Sequence, residues 1–119
     1  MSQSKEAATA IPQGMARVVV YRPGIFGTAI QPAVSIDNVE KGKCQPKGAF
    51  SADVTAGNHM VSATTEVRRE TMVTVQPGQT AYVRCGIGMG LLVGQPRLEV
   101  VPEATGKSES APLPFTGKF

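Results

Sequence analysis

The sequence predicts an all-β protein, an antiparallel two-sheet β-sandwich of about seven or eight strands. Glycine and proline are abundant, with 13 and 9 copies in 119 residues, which is typical of short strands joined by many turns. Segments rich in β-branched residues recur about every 8–12 residues, with turn residues between them. No segment sustains the 3.6-residue period of an amphipathic helix. A sandwich buries one face of each such strand.

The first predicted strand, residues 15–22, contains the run Val-Val-Val-Tyr. Four strong β-formers in a row are typical of a strand that is buried on both faces. A second extended segment, residues 30–39, includes Asp37 and Asn38, a pair that favours a tight hairpin turn. A return strand over residues 39–45 follows.

The turn at residues 55–58 contains Gly57 and separates two strands of the middle of the chain. In the segment after it, odd-numbered residues from His59 to Val67 are predicted to face the core, and even-numbered residues face outward. The remaining predicted strands occupy residues 48–54, 59–67, 70–75, 80–85 and 96–101.

The composition divides the chain into three parts. Residues 1–14 are rich in Ser, Gln, Ala and Lys and are predicted to be a flexible leader, suited to tether a domain to a membrane anchor. Residues 15–104 form the predicted sandwich domain. Residues 105–119 are polar and contain Pro and Gly, so we expect a loose C-terminal tail.

The charge pattern argues against nucleic-acid binding. The net charge is only +3, and the densest basic spot, Arg68-Arg69, has acidic neighbours at Glu66 and Glu70. A nucleic-acid binder carries a basic stripe with aromatic residues for base stacking, and neither is present. No apolar stretch reaches the roughly 20 residues of a transmembrane helix.

His59 is the only histidine, and we interpret it as structural. It follows the turn at Gly57, where an imidazole commonly bonds to loop backbone, and a catalytic triad would also require a nucleophile and a carboxylate beside it. One histidine and two distant cysteines do not form a spaced zinc ligand set, so no metal or cofactor is expected.

Cys44 and Cys85 are a candidate disulfide, because an even number of cysteines in a short chain fits an oxidising compartment. Two unlinked thiols are the alternative. The geometric requirement is that the two Cα atoms lie within about 7 Å.

The glycine-rich segment 86–94 is predicted to be a bend between two strands. A phosphate-binding loop would need a third glycine where Leu91 stands and a helix after it, and both are missing. Apolar residues between the glycines argue against a solvated linker. Met89, Leu91 and Leu92 are therefore a candidate contact patch for a partner or a lipid surface.

Three stretches, Ala-Arg-Val-Val-Val-Tyr-Arg-Pro at residues 16–23, the turn and strand of residues 54–65, and residues 75–96, together resemble the small bacterial lipoproteins grouped as domain of unknown function 2846, a PEGA-like β-sandwich module. Residues 16–23, Ala-Arg-Val-Val-Val-Tyr-Arg-Pro, are similar to the family's opening strand and Tyr-Arg-Pro. Residues 54–65 look like its Pro-Gly-x-His turn and strand, with Ala56 where proline is usual. Residues 75–96, from Val-Gln-Pro-Gly-Gln-Thr to Gly-Gln-Pro, resemble its C-terminal part.

The resemblance implies a β-sandwich module that is usually secreted and lipid-anchored at a cysteine just after the signal peptide, and it brings no catalytic residues to transfer. No cysteine precedes Ser2 here, so either Met1 replaces that cysteine or the anchor is absent. We expect a non-enzymatic binding or structural module of the envelope, in the periplasm or outer membrane, that contacts an envelope protein. The alternatives are a carrier or sensor of a small apolar or glycan ligand in a sandwich cleft, and a hydrolase centred on His59.

Overall fold

Strand pairing organises the chain into two sheets. The computed structural model describes residues 10–24, 27–88 and 94–118. The elements within these ranges are β1 (Met15–Arg22), β2 (Ala33–Ile36), β3 (Val39–Lys43), β4 (Gly48–Thr55), β5 (Gly57–Thr64), β6 (Arg68–Val75), β7 (Thr80–Gly88), β8 (Gln95–Val101), α1 (Glu103–Ser110) and β9 (Phe115–Lys118).

The first sheet has the strand order β8-β7-β1-β4-β9, and the second has the order β3-β2-β5-β6. The two sheets form a sandwich, which confirms the predicted fold class. Most neighbours are antiparallel, but β1 pairs with β7 and β4 pairs with β9 in parallel. The described residues hold nine strands, one more than the upper predicted number, because β9 lies in the segment expected to be a tail.

The core between the sheets is built from the inward-facing residues of the alternating strands. Val18 and Val20 of β1 pack with Phe50 of β4 and with Val61 and Val73 of the second sheet, all buried to 2% exposure or less. Odd positions of β5 from His59 to Ala63 are buried as predicted, but the even-numbered Ser62, predicted to face outward, is buried as well. Gly42 of β3 allows the close approach of the Phe50 ring, which a Cβ would meet at 2.6 Å.

A second apolar cluster covers the outer face of the first sheet. Val19 and Tyr21 of β1 pack there with Tyr82 of β7 and with Leu113 from the segment between α1 and β9. The expectation of a loose tail over residues 105–119 is therefore corrected for the residues up to Lys118. This segment forms most of α1 and adds β9 to the edge of β4.

Several strand ends differ from the predicted ones. β2 covers only Ala33–Ile36, because Pro32 lacks the amide hydrogen that a ladder needs. β7 continues through Gly88, three residues beyond its predicted end, because it pairs with β8 as far as Gln95. The first three residues of the predicted bend at 86–94 are therefore strand. No helix among the described residues has the length and apolar character needed to cross a membrane.

Candidate binding groove

A groove of about 580 Å³ opens where β1 ends and β7 continues. The β1–β7 ladder stops at the pair Tyr21–Arg84, whereas the β7–β8 ladder continues to Gly88. Pro23 follows β1 directly, and it cannot donate to a ladder. The groove is lined by Arg22, Pro23, Gly24, Arg84, Cys85, Gly86, Ile87, Arg97, Leu98 and Glu99.

Glycines give the groove a floor without side chains. Gly86 shares the outer face of the first sheet with Arg84, because residues two apart on a strand point the same way. A Cβ built on Gly86 meets nothing within 4 Å. Gly88 is different, because the side chain of Arg97 lies across it, with Cδ 2.8 Å and an Nη atom 3.3 Å from where its Cβ would be. The guanidinium of Arg97 thus extends from β8 over the backbone of β7.

Arg84 connects the groove to α1 through charged hydrogen bonds. It donates to Glu99 at 2.8 Å and to Oε1 of Glu109 at 2.8 and 3.0 Å. The same Glu109 oxygen accepts the phenol hydrogen of Tyr21 at 2.6 Å. The hydrogen bonds from Tyr21 and Arg84 lower the pKa of Glu109. Burial, followed by the bond to Glu109, raises the pKa of Tyr21 to about 12.

Arg22 braces the inner wall of the groove. Its side chain is fully buried, and its guanidinium donates to the carbonyls of Gly27, Ile30 and Cys44 at 2.7–3.0 Å. Burial lowers the pKa of Arg22 from the usual arginine value. Arg22 thereby ties the chain after β1 to the end of β3, which is a structural role for the arginine of the Tyr-Arg-Pro sequence.

A disulfide joins Cys44 to Cys85, and the two Cα atoms are 6.2 Å apart. Cys44 follows β3 of the second sheet, and Cys85 belongs to β7 of the first. The bond therefore links the two sheets behind the groove. Cys85 also contributes to the groove lining, and the carbonyl of Cys44 is one of the groups that Arg22 holds.

His59 lies at the corner where the chain passes between the sheets. Only Ala56 separates β4 from β5, and Gly57 turns there with φ of +126°. His59 Nε2 bonds to the Thr55 carbonyl at 2.7 Å, and Nδ1 bonds to Asp37 at 2.5 Å. The ring thus connects the β4–β5 corner to the β2–β3 turn.

The protonated form of His59 fits this setting because both acceptors can receive a ring hydrogen. Burial by itself lowers the pKa of His59, but the hydrogen bonds to Asp37 and to the Thr55 carbonyl, with the charge of Asp37, outweigh it and raise the pKa. The hydrogen bond from His59 and that from the Met60 amide lower the pKa of Asp37. Asp37 also adopts the left-handed φ of +53° that the turn requires.

The contact patch predicted from the sequence and the groove seen in the structure consist of different residues. The candidate contact patch of Met89, Leu91 and Leu92 lies outside the described residues. Arg97 and Arg84 were not singled out from the sequence, although both stand among the strand residues that flank the glycine segment. The sequence signal for these two residues is that the predicted strand with Arg84 ends in glycines, and the next strand along the chain carries Arg97 and Glu99.

The fold and groove define a disulfide-linked all-β sandwich module. A family profile described as a protein of unknown function, DUF2846, matches residues 12–95. The chain belongs to this family, which confirms the resemblance seen in the sequence. The match begins before β1 and ends at the first residue of β8, so α1 and β9 lie beyond it.

A curated relative is an uncharacterised protein of Haemophilus influenzae (strain ATCC 51907 / DSM 11121 / KW20 / Rd). It is 26% identical over 102 residues, which cover 85% of this chain and 61% of the relative. The chain therefore spans about three fifths of the length of that relative. No solved structure matches the chain.

Proposed function

We propose that the protein is a non-enzymatic binding module of the bacterial envelope that acts through contacts with another protein. The Cys44–Cys85 disulfide carries this proposal, because such bonds form and persist in oxidising compartments and are rare in the cytosol. The bond cross-links the two sheets, so a compartment that keeps it oxidised also preserves this cross-link. A lipid anchor on a cysteine ahead of the domain remains part of the proposal, supported by the family resemblance.

The geometry around His59 supports a role without catalysis. A general base needs a free ring nitrogen that faces the nucleophile's hydrogen. Nε2 of His59 is bonded to the Thr55 carbonyl at 2.7 Å, and the Thr55 hydroxyl is farther away, at 3.4 Å. The ring is therefore committed to holding the corner of the sandwich.

The shape of the groove favours a protein partner over a carried small ligand. Carriers enclose apolar ligands in largely closed, apolar pockets. The groove here is open, and it is flanked by the charged side chains of Arg84, Arg97 and Glu99. Open, polar-rimmed surfaces with exposed strand backbone are typical of peptide and protein contacts.

The proposal is tested by locating the protein in bacteria that produce it at native level. Cells are fractionated after free thiols have been trapped with a maleimide reagent of high mass. We expect the protein in the envelope fraction with neither cysteine trapped, and both cysteines trapped only after reduction. A cytoplasmic protein with two reactive thiols would contradict the proposal.

A site-specific photocrosslinker tests the protein contact in the same cells. A crosslinker at Gly24, an exposed groove residue where a Cβ meets nothing within 4 Å, is expected to produce one discrete adduct with a protein. A crosslinker at the exposed Val39, at the opposite end of β3 from Cys44, is the matched control. Equal adducts at both positions, or none at any exposed position tried on the domain, would argue against a binding module.

A further inference from the structure

We propose that the groove binds an extended, acidic peptide segment of the partner, which adds as a short strand beside residues 85–88 of β7. This inference rests on the proposed function, because it assigns the chemistry of the protein contact. The argument depends on the open side of β7, on the glycine floor and on the position of Arg97.

The first observation concerns the side of β7 that faces β1. Up to Arg84, this side is paired with β1, and no strand of the described residues pairs there from Cys85 to Gly88. The other side of the same residues is held in a regular ladder by β8. A strand with one free side and one fixed side is the template for β-strand addition, in which main-chain hydrogen bonds supply affinity.

The second observation is the glycine at position 86. A peptide strand beside β7 lies about 4.8 Å away and directs alternate side chains over the outer face. Gly86 leaves that face open, and a Cβ there would point into unfilled space within the groove. The glycine therefore leaves additional room on that face for a large side chain of the partner.

The third observation is the charge of Arg97. Its exposed side chain makes no hydrogen bond or ion pair with the described residues, whereas neighbouring Arg84 is bonded to Glu99 and Glu109. Because the guanidinium lies over Gly88, it is one strand spacing from the position of an added peptide. A carboxylate side chain on that peptide can receive a charge-assisted bond from Arg97, which gives the site its preference for acidic segments.

The test uses two synthetic peptides, acetyl-Val-Glu-Val-Glu-Val-amide and its counterpart with Gln in place of both Glu residues. Binding to the whole protein is followed by amide chemical shifts. We expect the Glu peptide to perturb residues 85–88 and 97–99 and to bind about tenfold more tightly than the Gln peptide, as one charge-assisted bond predicts. Shifts confined to other surfaces, or equal affinity for the two peptides, would overturn the proposal.

Variants separate the specific contact from general electrostatics. Arg97→Glu is expected to abolish the preference for the Glu peptide, while Lys41→Glu, the same charge change on the part of β3 away from the disulfide, leaves it intact. Gly86→Val is expected to weaken both peptides, because its side chain fills space that the groove leaves open, where a Cβ meets nothing within 4 Å. Gly86→Ala is a milder second variant, expected to weaken both peptides, and melting temperatures verify that each variant is folded. An equal loss in Lys41→Glu and Arg97→Glu would contradict the site.

Free acetate at the same carboxylate concentration distinguishes a peptide from a small anion. We expect it to cause little change, because it lacks the main chain that pairs with β7. If acetate reproduces the shifts and competes fully with the Glu peptide, the strand-addition proposal fails. The envelope location and the crosslinks in cells are measured independently, so they can hold even where this proposal does not.

Discussion

Arg22 and His59 show how single buried polar residues hold this sandwich together. Both are nearly inaccessible, and both bond mainly to main-chain carbonyls or to a turn residue rather than to another core side chain. Arg22 orders the segment between β1 and β2, and His59 orders the passage from β4 to β5. Irregular segments have carbonyls that no ladder satisfies, and a buried donor fills that need.

Arg22→Ala is expected to lower the free energy of unfolding by more than about 3 kcal/mol, because it leaves three carbonyls without their donor. Arg22→Lys should recover only part of this loss, since an ammonium cannot reproduce the forked geometry of a guanidinium. Urea unfolding of the three proteins measures the effect. An Ala variant as stable as the native protein would show that the brace is dispensable.

His59→Ala is expected to cost about 1.5–3 kcal/mol near pH 5.5, as for a hydrogen-bonded charged group. The folded-state pKa of His59 is raised, so its contribution is complete below the unfolded value of 6.5 and is lost as the pH rises through the folded pKa. The pKa of Asp37 is lowered, so its contribution is present above 3.8 and declines as the pH falls through its folded pKa.

The difference in unfolding free energy between the native protein and His59→Ala should therefore be largest between about pH 3.8 and pH 6.5, the unfolded pKa values of Asp37 and His59, and smaller near pH 9. Urea unfolding at several pH values measures it. Asp37→Asn serves as the partner control, because it should remove most of the same pH dependence. A difference that grows from pH 6 to pH 9 would mean that the neutral ring is the stabilising form.

At the scale of elements, α1 packs on the sheet through a close backbone contact at a glycine and through charged hydrogen bonds, not through an apolar stripe. Its sequence, Glu-Ala-Thr-Gly-Lys-Ser-Glu-Ser, has a single apolar side chain. Gly106 is buried against Tyr82, and a Cβ at this position would overlap the Tyr82 side chain. Glu109 then bonds to Tyr21 and Arg84 on the sheet. Such a helix leaves no hydrophobic period in the sequence, so its prediction as a tail was wrong for a physical reason.

Gly106→Ala is expected to destabilise the protein by about 1–3 kcal/mol, because the methyl group forces α1 away from Tyr82. Helix propensity alone would stabilise this variant, because Ala is more favourable than Gly by about 1 kcal/mol in an exposed helix. Thermal unfolding distinguishes the two effects. Ser108→Ala, at an exposed position of the same helix, should leave the stability unchanged or slightly raised. A stabilised Gly106→Ala variant would show that α1 is not packed on Tyr82.

At the scale of the whole molecule, the disulfide joins residues that are 41 positions apart and belong to different sheets. A cross-link of this span restricts the unfolded chain strongly. The chain-entropy relation gives about 4 kcal/mol for a loop of this length, and measured disulfides commonly deliver 2–4 kcal/mol. The bond is therefore a large fraction of the stability of a domain of this size.

The double variant Cys44→Ala/Cys85→Ala is expected to lose about 2–4 kcal/mol of unfolding free energy. Denaturant unfolding with and without a thiol reductant provides the measurement. The reductant should destabilise the native protein toward the level of the double variant and should leave the double variant itself unchanged. Equal stability of the oxidised and reduced native protein would show that the bond adds nothing to folding.

Local residue patterns predict the first eight strands and the family, but not β9. β1 was predicted with its observed bounds, and its run of Val and Tyr predicted burial on both faces, because alternation and β-propensity are local properties. What covers the second face of β1 follows from tertiary contacts: Leu113 packs there, and Glu109 of α1 bonds to Tyr21, although the local sequence of both is polar and turn-rich. The groove likewise depended on strand pairing, since Arg97 and Gly88 belong to different strands and meet only through the β7–β8 register. Register and the docking of distant segments are set by contacts far apart in the chain, and such contacts leave no periodic signal in any one stretch of sequence.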